Sequence, residues 1–343
     1  MAQINRRIIE DEKVWENFLG GRNDVNLLQS WYWGEFQARL GKKIFHTGFY
    51  ETDTNQLIGV MLAIVEPARR GKYLTVPGGP VIDWTDSDLV EMAVTEIIRL
   101  AKDAGCGFAR VRPQLLADET IKKIFSVHHF INAPIHLHAE LTSELDITRS
   151  EAELWQGLRK TTRSEIKKAQ NEKIVIATTT DPELIKDFYE LQLATARRQG
   201  FVPFTCQFLH EEFRAFAARG LALLYTAKLN GEVLAQAMII FYGKEGVYHY
   251  GASTEAGRRH PGAYLIQWEA IKEAKRRGKT KYNFWGVAPL QDKRHRFSGI
   301  SVFKRGFGGT DYQYLPAQDL IINYPRYWVN LIIEKMRKKI RRV

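Results

Sequence analysis

The segment with the most chemical content is FKRGFGG (303–309), where Lys304 and Arg305 stand between Phe303 and Phe307. Read as a strand, it carries an ammonium beside apolar rings, partly desolvated and electrostatically strong. Arg305 then points to the opposite face, so the two cations serve different places. The plainer reading is a pair of solvated edge-strand charges that guard against aggregation. Upstream, Tyr248 and Tyr250 alternate with His249 and are expected on one face of a strand. Their hydroxyls suit phosphate or peptide groups, or simply complete a core with one hydrogen bond each.

Basic residues gather in three places. Residues 157–173 carry Arg159, Lys160, Arg163, Lys167, Lys168 and Lys173, after Thr148 and Ser150, either of which can cap a helix. GRRHPGAY (257–264) sets Arg258 and Arg259 at the start of another helix, where N–H groups and cations favour an anion. From Tyr327 onward, Trp328, Ile332, Met336 and Ile340 recur every fourth position among Lys335, Arg337, Lys338, Lys339, Arg341 and Arg342. That is a basic amphipathic helix, which either docks on the protein or lies on an anionic bilayer. Docking is the commoner fate. His128-His129 and His136-x-His138 have no cysteine or carboxylate to complete a tetrahedral set, so no metal is expected.

The elements that position these residues repeat. Residues 49–66 and 224–243 each read as strand, turn, strand, the second around Asn230-Gly231. Each is followed by a strand, a Pro/Gly loop, a helix ending at Gly105 or Gly278, and a short strand. Two tandem copies of one α/β unit account for the 343 residues, with a boundary between 145 and 155. Hydropathy agrees with a folded chain: 45% hydrophobic and 26% charged residues exclude disorder and fibrous repeats. The longest apolar run, 60–65, is far short of a bilayer span, and the charged N-terminus gives no signal peptide. Cys106 and Cys206 are too few for a disulfide framework, so a cytoplasmic location is expected. A net charge of +11 favours polyanionic partners.

The order hairpin, strand, loop, helix, strand resembles the GCN5-related N-acyltransferase (GNAT) fold, in which two adjacent strands splay apart to receive an acyl donor. Longer stretches resemble the Fem-type (FemABX) peptidyltransferases: LLQSWYWGEFQARLGKK (27–43), YLTVPGGPVIDW (73–84), FARVRP (108–113), LRKTTRSEIKKAQ (158–170), YHYGAS (248–253), LIQWEAIKEAKRRGKTKYNFWGV (265–287) and FKRGFGG. No long insertion interrupts 220–241, so the chain is similar to the compact FemX-like members. The resemblance implies an α/β fold of two tandem GNAT-like domains packed around a cleft, residues 1–150 plus 316–343 and residues 151–315.

It also implies an activity, transfer of an amino acid from aminoacyl-tRNA to the stem peptide of a peptidoglycan precursor, with no cofactor. Lys304 and Phe303 match the pair placed at the reacting centre, where the tetrahedral oxyanion of acyl transfer needs a fixed cationic or N–H donor. Tyr250 matches a substrate contact, Tyr248 joins it, and Phe108 falls where the family uses a tyrosine. Arg305, Phe204 and Phe208 complete the expected substrate contacts with Gln37. Arg159, Lys160, Arg163, Arg258 and Arg259 are the expected tRNA or phosphate contacts. Gln37, or Glu35 near it, and Phe204 stand where FemX-like enzymes hold the diphosphate of a UDP-linked precursor with Lys and Arg. Together with the basic tail, this favours a lipid-linked acceptor and peripheral contact with the inner membrane face. Two rivals share these residues: an acyl-CoA-dependent N-acyltransferase, and a non-enzymatic basic module that binds RNA or membrane. The broken glycine spacing of 257–264 argues against coenzyme A.

Overall fold

The computed structural model describes residues 3–68, 71–200 and 202–341, with side chains through residue 333. The chain divides into two units, Met1–Glu140 with Gln313–Val343, and Leu141–Tyr312. The division falls before residue 150 because Leu141–Asp146 pairs antiparallel with Lys281–Gly286 and so joins the second sheet.

Each unit holds a seven-stranded sheet. In the first the order is Ile4–Ile8, Ile44–Glu51, Leu57–Glu66, Lys72–Gly78, Cys106–Pro113, Gln318–Ile321, Ile131–Asn132. In the second it is Thr310–Gln313, Leu141–Asp146, Lys281–Gly286, Glu245–Ser253, Glu232–Tyr242, Ala222–Leu229, Val175–Thr179. The repeat is visible in the pairing. Ile44–Glu51 and Leu57–Glu66 form an antiparallel hairpin, as do Ala222–Leu229 and Glu232–Tyr242. Asn230 and Gly231 turn the second hairpin with φ of 49° and 87°, the left-handed pair that a tight hairpin requires. The crossover helices are Ser87–Asp103 and Gly262–Arg276. Leu89, Val90, Ala93, Val94, Ile97 and Leu100 line the buried stripe of the former, the spacing of a helix laid on a sheet. Burying each large apolar side chain there contributes roughly 1.5–3 kcal/mol. The chain then leaves each helix through a glycine, Gly105 at φ 68° and Gly278 at φ 70°.

The two copies differ in one respect that bears on chemistry. In the first unit the parallel pair Lys72–Gly78 and Cys106–Pro113 shifts register between Lys72 and Leu74 and then stays paired to Gly78 and Pro113. In the second, the parallel pairing of Glu245–Ser253 with Lys281–Gly286 ends at Val247 and Asn283. Beyond that point residues 248–253 and 284–286 part. Asn283 fixes the parting: its Oδ1 accepts the Trp285 N–H at 2.8 Å, and its Nδ2 donates to Glu144 and Glu245 at 3.3 and 3.2 Å. Trp285 takes φ 62°, a conformation costly for a bulky side chain and retained here where the strand turns away. Glu245 is buried, which pushes its carboxyl up, against the pull of the Lys281 ammonium 2.7 Å away.

The basic stretch after Ser150 is two helices. Ser150 and Glu153 form a reciprocal capping box that starts Glu151–Gly157, and the chain breaks at Leu158 before Lys160–Asn171.

Candidate active site

Lys304 lies at the parted strands, on an element of a different kind from the one expected. Ser298–Arg305 is a helix, and Lys304 occupies its last turn. Neighbouring side chains on a helix diverge by about 100°, so Lys304 and Arg305 still face different surroundings. The Lys304 side chain is buried, and its Nζ donates to the carbonyl oxygen of Gly286 at 2.8 Å, on the strand that turns away. The ammonium also stands 5.5 Å from the centre of the Tyr248 ring. Burial pulls its pKa from the ordinary lysine value down to about 7. This is a fixed, desolvated cation beside two strand ends that no longer pair with each other.

Arg305 is occupied elsewhere. Its guanidinium pairs with Asp311 at 2.6 Å and donates to the Ala288 carbonyl, which ties the helix end to the following chain. Phe303 packs edge-on against Tyr264 and Phe307, with ring centres at 4.8 and 5.4 Å. It seats the helix on the core of the second unit, and its ring is committed to that packing.

The two tyrosines do not share a face. The register between Glu232–Tyr242 and Glu245–Ser253 shifts so that Ile239 opposes Tyr248 and its neighbour Met238 opposes Tyr250. His249 is the extra residue of a β-bulge, and an extra residue reverses the alternation. Tyr248 therefore packs with the core that contains Ile239 and Phe284, and burial pushes its hydroxyl up to about 12. Its hydroxyl end overlies Gly251, where an added Cβ would come within 2.0 Å.

Tyr250 joins a different group. Phe204 and Phe208 stack with centres 4.4 Å apart, and Phe204 meets Tyr250 edge-on at 5.7 Å. Phe204 remains 49% exposed, so the stack presents a ring to solvent. Behind it lies a pair that the sequence reading missed. His249 Nε2 is 2.7 Å from Glu212 Oε1, with both side chains buried. Burial first, and then Glu212, push the Tyr250 hydroxyl well above the usual range. The imidazole centre lies 4.3 Å from that of Tyr250 and 5.2 Å from the Trp285 ring. One signal was available in the sequence: Glu212 sits among Leu209, Phe213 and Phe216 on the buried face of Cys206–Ala217, a charge at a core position.

The basic stretches 157–173 and 257–264 meet. Lys168 Nζ donates to the Arg259 carbonyl at 2.8 Å, and His260 lies 2.9 Å from Glu172. Arg159, Lys160, Arg258 and Arg259 are exposed. Arg163 is different: its guanidinium donates to the carbonyls of Gln156 at 2.8 Å and Leu158, holding the break between the two helices.

Phe108 and Gln37 belong to the first unit, and neither presents a free face. Phe108 is buried, stacked on Tyr73 at 4.9 Å and met edge-on by Tyr327 at 5.4 Å. A ring so enclosed is a core residue, which corrects the expected substrate contact. Gln37 is also buried, on the helix Trp31–Arg39, with Oε1 lacking a partner among the described residues. Among the described residues no three His, Cys, Asp or Glu side chains converge as a metal site.

Comparison with known proteins extends this geometry. The FemAB family model matches residues 11–132, and an acetyltransferase (GNAT) domain model matches 156–305. Lipid II:glycine glycyltransferase of Staphylococcus haemolyticus is 20% identical and aligns over 94% of both chains. Aminoacyltransferase FemA of Staphylococcus aureus is 31% identical over 96 residues, which span 28% of this chain and 23% of that protein. The crystal structure of FemX superposes with a TM-score of 0.86 at 18% identity, over 95% of this chain and all of that one. A tandem GNAT protein from the clavulanic acid pathway superposes at 0.60 with 10% identity, covering 94% and 99%. The two matched models and the full-length likeness to FemX agree with the two units described above: the chain has the fold of tandem GNAT-type units and is similar to the FemAB family over its first unit.

Proposed function

We propose that the protein is an aminoacyltransferase that moves an aminoacyl group from aminoacyl-tRNA to an amine of a peptidoglycan stem peptide, with the lipid-linked precursor as acceptor. The observation that carries this reading is the buried Lys304 ammonium at the point where the second sheet opens. The acceptor amine adds to the donor's ester carbonyl, and the oxygen gains negative charge as the carbon becomes tetrahedral. A cation held in a low-dielectric setting stabilises that charge without reorganising, the largest single contribution in many acyl transfers. Collapse of the intermediate breaks the ester C–O bond, and the proton lost by the attacking amine passes to the leaving ribose oxygen, which departs as the tRNA hydroxyl. The name of the Staphylococcus haemolyticus relative gives lipid II as acceptor, which supports the lipid-linked choice.

The rival donor is an acyl-coenzyme A, favoured by the GNAT domain match. Its pyrophosphate would need free backbone N–H groups in the loop before Gly262–Arg276. Those groups are already used within the loop. The Gly257 N–H bonds Thr254 Oγ1 at 3.0 Å, the N–H groups of Arg258 and Arg259 bond Glu255 and Ala256, and that of Gly262 bonds His260 at 2.8 Å. The Arg259 side chain, and that of Arg258 beyond its exposed pair with Glu255 at 3.4 Å, would be offered to an RNA phosphate.

A transfer assay with pooled radiolabelled aminoacyl-tRNAs and separate lipid-linked and UDP-linked precursors tests this. Label in the lipid-linked precursor, lost in Lys304→Ala, is the expected result. Consumption of acetyl-CoA with no transfer from tRNA overturns it.

A further inference from the structure

The C-terminal helix is anchored by one side and bare on the other. The backbone at Gly107 receives the N–H groups of Ile322 and Asn323 at 3.1 and 2.8 Å, and Asn323 Oδ1 caps the helix at the Arg326 N–H. One turn in, the Tyr327 hydroxyl donates to Asp319 at 3.0 Å, and Asp319 is held by both guanidinium arms of Arg110 at 2.7 and 2.9 Å. This buried group fixes which way the helix Tyr324–Arg341 faces. Its outward arc is then apolar: Tyr324 is 63% exposed, Trp328 51%, Val329 54% and Ile332 57%. Tyr324, Trp328 and Ile332 follow one another at every fourth position, so they form a single stripe. Scattered exposed apolar residues are ordinary in a soluble protein, whereas a contiguous stripe of this kind marks a surface that is covered in use.

We infer that this stripe seats the protein on an anionic lipid bilayer. The sequence beyond Ile333 carries Lys335, Arg337, Lys338, Lys339, Arg341 and Arg342 with Glu334 as its one acid, a strongly positive segment whose side chains lie outside the described residues. A partner for such a segment is both apolar and negatively charged. RNA supplies the charge without an apolar interior, and a second copy of the helix brings the same positive charge against it. A bilayer with acidic headgroups supplies both, and Tyr and Trp are the side chains that settle at its interface. The helix lies on that surface, since no helix among the described residues is long and apolar enough to cross. The inference adds to the proposed transfer reaction a surface that delivers a lipid-linked acceptor, and it rests on that reaction for its purpose only.

The test is co-sedimentation of the full chain with vesicles of phosphatidylglycerol and phosphatidylcholine, beside vesicles of phosphatidylcholine alone. The expected result is retention on the acidic vesicles, reduced about tenfold or more by Trp328→Ser with Ile332→Ser, which removes the stripe and keeps every charge. Both positions are exposed, so the thermal unfolding midpoint should not move. Equal binding to both vesicle types, no binding, or binding unchanged in the variant overturns the inference. So does light scattering that shows a dimer lost in the variant without vesicle binding, or RNA retention lost in the variant without vesicle binding. Transfer to a water-soluble precursor fragment should be unchanged in the variant. A protein that binds vesicles and transfers nothing sinks the transfer reading and leaves this inference in place.

Discussion

Lys304 Nζ lies 2.8 Å from the carbonyl oxygen of Gly286, so a helix-borne cation is tethered to the strand end that parts from its neighbour. The tether orients the ammonium but does not repay its desolvation, which brings its pKa to about 7. The unfolded chain keeps the ordinary value of 10.5 and so binds more protons than the folded one between these limits. Stability should therefore rise as pH climbs from about 7 towards 10.5, by up to about 5 kcal/mol, and stay fully penalised below 7. Lys304→Met should lose about 10²–10³-fold in transfer rate and be more stable at neutral pH by about 1–4 kcal/mol. Urea unfolding across pH checks the sign: the wild-type rise should be missing in the methionine variant. A variant less stable than wild type at pH 7 contradicts the account.

Gly251 leaves room for the hydroxyl end of Tyr248, with 2.0 Å between that oxygen and the place of an added Cβ. Gly251→Ala should displace the ring, at a cost of about 1–3 kcal/mol, and disturb Lys304, which stands over it. Removing the offending hydroxyl should undo part of this. Tyr248→Phe combined with Gly251→Ala is expected to recover stability and transfer relative to Gly251→Ala alone, a coupling that a double-mutant cycle measures. Simple additivity would place Tyr248 somewhere else.

Most of the fold was legible because it rests on local rules that repeat. Alternating strands, Asn230-Gly231, the glycines that end the crossover helices and the capping box at Ser150 all follow from neighbouring residues. The site was less legible for reasons that are not local. A one-residue bulge at His249 reverses the side-chain alternation, and only the pairing with Met238 and Ile239 reveals it. FKRGFGG reads as a strand that sets Lys304 beside Phe303 and Phe307, yet Ser298–Arg305 forms a helix with Lys304 on its buried side. Phe108 matched a family position, but its burial is set by Tyr73 and Tyr327, the latter far along the chain. The meeting of Glu212 with His249 joins a helix and a strand across the face of a sheet, a contact that no sequence spacing encodes.

That buried pair makes its own prediction. Glu212→Ala removes the carboxylate from His249 and Tyr250 and leaves both polar groups without it in the core. The expected loss is about 3–5 kcal/mol, the range for breaking one side of a buried pair. Glu212→Gln keeps the shape and an acceptor oxygen and should cost less, about 1–2 kcal/mol. Denaturant midpoints compare the two. Equal losses would mean that packing volume, and not the polar contact, holds the helix to the strand.

The cations of the second unit divide by what they already hold, and the division can be measured. Arg258 and Arg259 are exposed and lie beside Lys168, whose ammonium bonds the Arg259 carbonyl. Arg258 holds only an exposed pair with Glu255 at 3.4 Å; on the proposed reading both guanidinium groups meet phosphate, and each phosphate contact releases a counterion. Arg258→Ala with Arg259→Ala should weaken tRNA binding and lower the slope of log affinity against log salt by about 1.4, or 0.7 per lost contact to single-stranded RNA. Stability should change little, because exposed cations contribute little to folding. Arg163 should behave in the opposite way. Its bonds to the Gln156 and Leu158 carbonyls hold the break between two helices, so Arg163→Ala should cost about 1–2 kcal/mol and leave the salt slope as it was. If the slope instead falls with Arg163 and stays constant without Arg258 and Arg259, the RNA runs over a different face of the unit.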